Sequence, residues 1–260
     1  MQDLKIAIFQ QDLVWQDAPA NRARFGRLMP AARGCALALL PEMFATGFTM
    51  EPGACAEDAD GPTVDWLRAQ AADCGCAVGG SLALRAGSGF RNRFLFVRPD
   101  GALDHYDKRH LFRLAGEHHS YVAGAQRAVV AWQGWRLCLQ VCYDLRFPVW
   151  SRNRGDYDAL VYVANWPARR REHWRALLVA RAIENQCWVV GVNRTGVDGK
   201  GVDYAGDSLV VDPWGRVELD AGSAAGVFTA TLSAAVLAEC RAKFPVHLDA
   251  DAFRIEGPAE

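Results

Sequence analysis

Apolar runs of strand length alternate with amphipathic segments along the first part of the chain. Residues 4–10 and 35–42 are almost entirely apolar, which predicts two buried strands. Between them, residues 19–33 favour a helix that begins after Asp17 and ends at Gly34. Strands that alternate with helices in this way are typical of an α/β fold.

Turn signals divide the rest of the chain into strand pairs and helices. Gly-rich turns at 87–89 and 133–134 lie between apolar runs and predict two hairpins. The other expected elements are helices at 60–73, 147–153 and 170–186, a helix that follows Ser233, and strands at 76–84, 93–97, 129–132, 135–142, 159–165, 187–192, 208–211 and 227–232. No linker-like segment interrupts them, so we expect one α/β domain over residues 1–260, with mixed sheets.

Composition and charge exclude several classes of partner. The chain is 51% hydrophobic and 23% charged, with a net charge of -1, so it offers no electrostatic argument for binding nucleic acid or an anionic membrane. The apolar run near the N-terminus is too short for a signal-peptide core, and no run is long enough to span a bilayer. We therefore expect a cytoplasmic protein.

The cysteines and histidines do not predict a metal site. Eight cysteines in a large, unsecreted chain favour buried thiols over disulfides. Cys74 and Cys76 are spaced too closely for a zinc knuckle. His118 and His119 are adjacent and, on a strand, would point to opposite faces. No metal is expected.

Two predicted strands end in reactive side chains, and a third reactive side chain lies between them in the sequence. Glu42 ends the second strand, Cys142 ends the strand after 133–134, and Lys108 is expected at the end of a short strand or on a loop. Only 4 of the 29 Lys and Arg residues are lysine, which draws attention to Lys108. Because sites gather at the carboxyl ends of strands in α/β sheets, these groups are expected to converge.

Together these groups supply what thiol-based amide cleavage needs. A neutral thiol attacks poorly, so Cys142 needs a base, and Glu42 fits that role. Lys108 and the backbone N–H of Tyr143 would stabilise the oxyanion. Each residue taken alone also fits a structural role, since cysteine is usually buried and Glu42 with Lys108 could form a structural ion pair.

Several motifs occur in a fixed order over nearly the whole chain. They are Pro41-Glu42, Tyr106-Asp107-Lys108, Cys142-Tyr-Asp-Leu-Arg-Phe-Pro148, Asn165-Trp166-Pro167, Arg181-Ala-Ile-Glu-Asn185 and Gly206-Asp207-Ser208. In this order they resemble the nitrilase (carbon–nitrogen hydrolase) superfamily, most closely its ω-amidase branch. The resemblance implies a four-layer αββα sandwich with two mixed β-sheets, a thioester intermediate, no cofactor, a homodimer, and a second glutamate, Glu117, that assists the triad.

The resemblance also implies a small 2-oxo acid amide as substrate, either 2-oxoglutaramate or 2-oxosuccinamate. Arg146 matches an arginine that contacts the substrate carboxylate in related amidases, and arginine suits carboxylates. Phe44, Tyr143 and Trp166 are the expected aromatic lining of the pocket. The segment 165–171 departs from one ω-amidase group, so that group's carboxylate contacts do not carry over.

The sequence leaves open two alternative functions and a role for a basic run in attracting the substrate. The same chemistry would suit deaminated glutathione or an N-carbamoyl compound, which need a longer cleft. A protein that binds a small carboxylate without chemistry is the alternative of another class. Arg169, Arg170 and Arg171 form the longest basic run and are a hypothetical attractor for an anionic substrate, because cations are disfavoured at a helix start.

Overall fold

The computed structural model describes residues 1–256; positions 257–260 of the predicted domain lie outside it. Within residues 1–256 the strands are β1 (Leu4–Gln10), β2 (Leu37–Leu39), β3 (Ala77–Ala86), β4 (Gly89–Val97), β5 (Leu103–Asp107), β6 (Ala128–Trp132), β7 (Trp135–Val141), β8 (Ala159–Ala164), β9 (Trp188–Asn193), β10 (Thr195–Val197), β11 (Asp203–Ala205), β12 (Leu209–Val211), β13 (Val217–Asp220) and β14 (Gly226–Leu232).

The α-helices over the same residues are α1 (Ala18–Leu28), α2 (Pro52–Cys55), α3 (Pro62–Cys74), α4 (Glu117–Ser120), α5 (Pro148–Ser151), α6 (Arg171–Asn185) and α7 (Ala234–Lys243). Asp17 caps α1 by accepting from the Ala20 N–H, and Ser233 caps α7, as their side-chain chemistry predicts. No helix in the described part of the chain is long and apolar enough to cross a membrane.

Two six-stranded mixed sheets form the centre of the fold. Their spatial orders are β14-β1-β2-β3-β4-β5 and β13-β12-β9-β8-β7-β6. In each sheet the three central strands are parallel, β1-β2-β3 in one and β7-β8-β9 in the other, and the flanking strands are antiparallel. The predicted fold class is therefore confirmed.

Strand alternation explains the four layers. On β1, Ile6 and Ile8 belong to the core shared with the second sheet, while Ala7 and Phe9 pack with the helices α1 and α3. Helix α6 covers the second sheet. Parallel strands enclosed on both faces are expected to be nearly continuously apolar, as β2 and β8 are.

Some predicted elements differ from the observed ones. Strand β2 covers only 37–39 of the predicted 35–42, and the helical segment expected at 147–153 is the single turn α5. His118 and His119 lie on the helical turn α4 with their rings 3.8 Å apart, so the argument that adjacent strand residues point to opposite faces does not apply to them.

Candidate active site

Glu42, Lys108 and Cys142 lie together although they are far apart along the chain. Each directly follows, or lies just beyond, the carboxyl end of a strand: β2, β5 and β7 respectively. Lys108 Nζ is 2.9 Å from Glu42 Oε1, and both side chains are fully buried. Cys142 Sγ donates to the Asn165 carbonyl oxygen at 3.9 Å, and the Asn165 N–H donates to Glu42 Oε2 at 2.8 Å, so Asn165 links the thiol to the carboxylate.

Glu117 joins the same cluster from the turn α4. Lys108 Nζ donates to both of its carboxylate oxygens, at 3.0 Å and 2.9 Å. The backbone N–H of Phe112 donates to Glu117 Oε2 at 2.6 Å. One ammonium is therefore shared between two buried carboxylates, and this pairing compensates their burial.

The backbone is unusual at Cys142 and at the residue after Glu42. Cys142 has φ of 45° and Met43, which follows Glu42, has φ of 44°. Non-glycine residues rarely adopt this left-handed region, and they persist there only when the surroundings hold them. Cys142 begins the 3-10 turn Cys142–Arg146, so the N–H of Tyr143 falls in the first turn, where backbone donors lack a partner within the helix.

Asp144 forms hydrogen bonds both with the residue before Cys142 and with the residues on either side of Lys108. It accepts from the Val141 N–H at 3.0 Å and the Tyr106 hydroxyl at 2.8 Å. Its other oxygen accepts from the His110 N–H at 3.0 Å and lies 2.7 Å from His110 Nδ1. Since Tyr106 and His110 flank Lys108, one buried carboxylate fixes both reactive segments.

The electrostatics of the cluster keep the thiol protonated and the amine charged. Burial and then Glu42 raise the pKa of Cys142, while Lys108 opposes them. Burial opposes the charge of Lys108, but Glu117 and Glu42 outweigh it and raise its pKa. Burial also raises the pKa of Glu117, with Lys108 opposing. A thiol held neutral in this way needs an adjacent base to react.

A cavity of about 200 Å³ opens onto the cysteine. Cys142, Tyr143, Arg146 and Trp166 line it, together with Phe48 and other residues. Glu42, Lys108 and Glu117 are not part of its lining and lie behind the cavity wall. The volume is below the range typical of pockets for drug-sized ligands, which favours a small substrate.

Basic side chains surround the cavity. The Arg146 guanidinium lies 4.7 Å from the centroid of the Trp166 ring, and its Nη2 is 3.0 Å from His173 Nδ1. Arg169 and Arg170 also line the cavity. Burial, and then the charges of Arg169 and Arg146, lower the pKa of Arg170. A bound anion would relieve this repulsion.

Arg171, the third member of the basic run, points elsewhere. It pairs with the buried carboxylate of Asp207 at 2.8 Å and does not line the cavity. The hypothesis of a steering run therefore reduces to Arg169 and Arg170.

Phe44 does not belong to the site, which corrects the expectation that it lines the pocket. It is fully buried between the first sheet and its helices, with its ring 5.6 Å from that of Phe25 and 5.9 Å from that of Trp66. The chain turns sharply at Met43, so Phe44 faces the helix layer. Phe48 takes the predicted place in the cavity wall, and Lys108 Nζ lies 5.1 Å from its ring centroid.

Two polar residues contact Glu42 in a way that the sequence did not predict. Asn92 on β4 donates to Glu42 at 2.7 Å and to Glu117 at 3.1 Å. Asn165 donates its backbone N–H to Glu42 Oε2 at 2.8 Å and its side-chain amide to the Glu42 carbonyl. Asn165 belongs to a recognised motif, but Asn92 carries no local signal. Within residues 1–256, no three His, Cys, Asp or Glu side chains are grouped to hold a metal ion.

Comparison with known proteins gives consistent similarities. Residues 5–242 match the sequence profile of the carbon-nitrogen hydrolase family. The chain is 52% identical to the omega-amidase YafV of Escherichia coli K12, over 98% of this chain and 100% of that protein. It is 37% identical to a 2-oxoglutaramate amidase of Bacillus subtilis, over 81% and 83% of the two chains. The crystal structure of XC1258 from Xanthomonas campestris, a CN-hydrolase superfamily protein with an arsenic adduct in its active site, has a TM-score of 0.97 at 50% identity, covering 98% and 100%.

Proposed function

Because the chain belongs to the carbon-nitrogen hydrolase family, we propose that it hydrolyses the terminal carboxamide of a small 2-oxo acid, 2-oxoglutaramate or 2-oxosuccinamate. The products are the 2-oxo acid and ammonia. One observation carries the proposal: a buried carboxylate and ammonium lie behind a thiol that lines a small cavity with a basic wall. The similar omega-amidase and 2-oxoglutaramate amidase support this substrate class.

The first half of the reaction forms a thioester. Glu42 takes the thiol proton while the sulfur of Cys142 bonds to the amide carbon. The carbonyl oxygen becomes an oxyanion, which Lys108 and the Tyr143 N–H stabilise. The C–N bond then breaks, and Glu42 returns the proton to the departing nitrogen, which leaves as ammonia.

The second half regenerates the enzyme. Glu42 takes a proton from water as the water oxygen attacks the thioester carbon. The C–S bond breaks, the carboxylic acid leaves, and the proton on Glu42 returns to the thiolate. Lys108 stays charged throughout, because Glu117 holds its pKa above the ordinary lysine range. Glu117 therefore assists by retaining the ammonium.

Substrate selection follows from the cavity. Arg146 and Arg170 line it and are suited to hold the carboxylate of the 2-oxo acid. Tyr143 and Trp166 contribute apolar wall. The small volume favours 2-oxoglutaramate over the longer deaminated glutathione.

Ammonia release from 2-oxoglutaramate tests the proposal, using wild type, Cys142→Ala and Cys138→Ala. Cys138 is a matched control because it is a fully buried thiol on β7 outside the cavity lining. We expect activity in wild type and Cys138→Ala and none above background in Cys142→Ala. Equal rates in wild type and Cys142→Ala would overturn the role of this cysteine. A higher kcat/KM for deaminated glutathione would overturn the substrate.

We further propose a single-domain cytoplasmic homodimer. A reducing compartment suits the eight free cysteines, and the dimer follows the family resemblance. Light scattering during size exclusion should give twice the chain mass of 28.5 kDa. A monomer mass at micromolar concentration would contradict the dimer, and recovery in a secreted or membrane fraction would contradict the location.

A further inference from the structure

Asn92, on β4, forms hydrogen bonds with the carboxylates of Glu42 and Glu117 and with Ser81 on the neighbouring strand β3. Its side-chain nitrogen donates one hydrogen to Glu42 Oε1 at 2.7 Å and the other to Glu117 Oε1 at 3.1 Å. Its oxygen accepts from the Ser81 hydroxyl at 2.8 Å. Ser81 in turn accepts from the N–H of Met43 at 2.9 Å. This chain of bonds fixes which end of the Asn92 amide faces the carboxylates.

All acceptor positions of Glu117 are occupied. A carboxylate offers about four lone-pair positions. Asn92 and Lys108 donate to Oε1, and Lys108 and the Phe112 N–H donate to Oε2. A proton on Glu117 would displace one of these donors. Glu117 is therefore poorly placed to accept a proton during turnover, although burial raises its pKa.

Glu42 retains one free acceptor position. Asn92 and Lys108 donate to its Oε1, at 2.7 Å and 2.9 Å. Among residues 1–256, one donor reaches its Oε2, the Asn165 N–H at 2.8 Å. With donors counted over these residues, Glu42 Oε2 is the carboxylate oxygen of the cluster that keeps a lone pair for the Cys142 thiol.

We infer that Asn92 is a positioning residue that makes Glu42 Oε2 the one proton acceptor of the site, by filling acceptor positions on Glu42 Oε1 and Glu117 Oε1. It does not touch the substrate cavity, so it acts through the two glutamates. For turnover the inference rests on the proposed function; for the acceptor itself it rests only on the hydrogen bonds of Asn92.

The inference has a signature in the pH dependence. Donors to a carboxylate stabilise its charged form. Without Asn92, the carboxylate cluster loses two hydrogen bonds that favour its charged form, so the acidic limb of the pH profile should move to higher pH. Asn92→Asp should move it further, because it adds a third buried carboxylate beside the other two. A merely structural role would lower the rate without moving the limb.

The experiment compares wild type with Asn92→Ala, Asn92→Asp and the control Asn21→Ala. Asn21 is a buried asparagine that donates its side-chain hydrogens to the carbonyls of Val14 and Ala45, away from the carboxylates. Two readouts are followed from about pH 5 to about pH 9: kcat/KM for 2-oxoglutaramate, and the rate of iodoacetamide alkylation of the Cys142 peptide by mass spectrometry. Alkylation does not require the substrate assignment to be right.

We expect the acidic limb of both profiles to move up by about one pH unit in Asn92→Ala and further in Asn92→Asp, with Asn21→Ala at the wild-type position. If Asn92→Asp does not fold, Asn92→Ala decides the matter alone. An unmoved limb in folded Asn92→Ala would overturn the inference. If wild type does not hydrolyse 2-oxoglutaramate, the proposed function fails and the alkylation profile still decides the role of Asn92.

Discussion

Replacing Lys108 with methionine should destabilise the fold strongly, because it leaves two buried carboxylates without their shared cation. Lys108 Nζ lies 2.9 Å from both Glu42 and Glu117, and all three side chains are fully buried. Removing one partner of a buried ion pair costs about 3–5 kcal/mol. A typical domain has a free energy of unfolding of about 5–15 kcal/mol. The variant should therefore lose a large share of its stability near pH 8.

The loss should shrink as the pH falls. In the variant, the adjacent carboxylates bind a proton more tightly in the folded chain than in the unfolded chain. Unfolding then releases a proton, so the variant recovers stability towards low pH, by up to about 1.4 kcal/mol per pH unit per proton. In wild type the raised pKa of Lys108 keeps its contribution present at every pH below its unfolded value of about 10.4.

Urea unfolding followed by tryptophan fluorescence, at about pH 8 and about pH 5.5, measures both effects. Lys243→Met is the matched control, because Lys243 pairs with Glu239 on the surface, where both side chains are more than half exposed. The control should unfold like wild type. A loss below about 1 kcal/mol in Lys108→Met at pH 8, or a loss that is equal at both pH values, would refute the reasoning.

Three further substitutions test the cavity and its supports. Arg146→Ala should lower kcat/KM for 2-oxoglutaramate by about 10–100-fold and barely change that for a neutral amide, since it removes a carboxylate anchor. Asp144→Asn should lower stability by about 1–3 kcal/mol in urea unfolding, because the carboxylate that accepts from Tyr106 is lost. Gly124→Ala should cost about 1–3 kcal/mol and reduce kcat, because its Cβ would lie 2.1 Å from the Asp107 carbonyl oxygen, next to the reactive lysine.

A specific result would contradict each of these three predictions. Equal losses for charged and neutral amides in Arg146→Ala would show that the arginine does not select a carboxylate. If Asp144→Asn had the same free energy of unfolding as wild type, the Asp144 carboxylate would not stabilise the contact between the Cys142 and Lys108 segments. Gly53→Ala is the control for Gly124→Ala, because a Cβ at Gly53 meets nothing within 4 Å. Equal effects of the two glycine substitutions would remove the steric argument.

The main features of the fold follow from short-range patterns in the sequence. The apolar run at 4–10 gave a strand with the observed bounds, and the Gln133-Gly134 turn joins β6 and β7 as predicted. The short strands β10, β11 and β13 were not predicted. Val217–Asp220 alternates weakly and is mostly exposed, so its pairing with β12 decides its conformation.

Some residues of the candidate site were predictable from the sequence and others were not. Glu42 and Cys142 follow strand ends that are visible in the sequence, whereas for Lys108 the sequence left a strand end and a loop open, and the structure shows the strand β5 before it. Asn92 lies opposite Ala83 in the sheet and accepts a hydrogen bond from Ser81, eleven residues away. Neither contact can be recognised from the residues next to Asn92 in the sequence. Phe44 was misplaced because the left-handed turn at the preceding residue reverses the face on which it lies.

A covalent adduct on Cys142 tests the central claim most directly. Wild type mixed with 2-oxoglutaramate, quenched in acid within one turnover and digested, should give a Cys142 peptide heavier by the substrate less one ammonia. The adduct should be absent from Cys142→Ala. Ammonia release at an undiminished rate, with no adduct on Cys142 at any quench time, would contradict the mechanism.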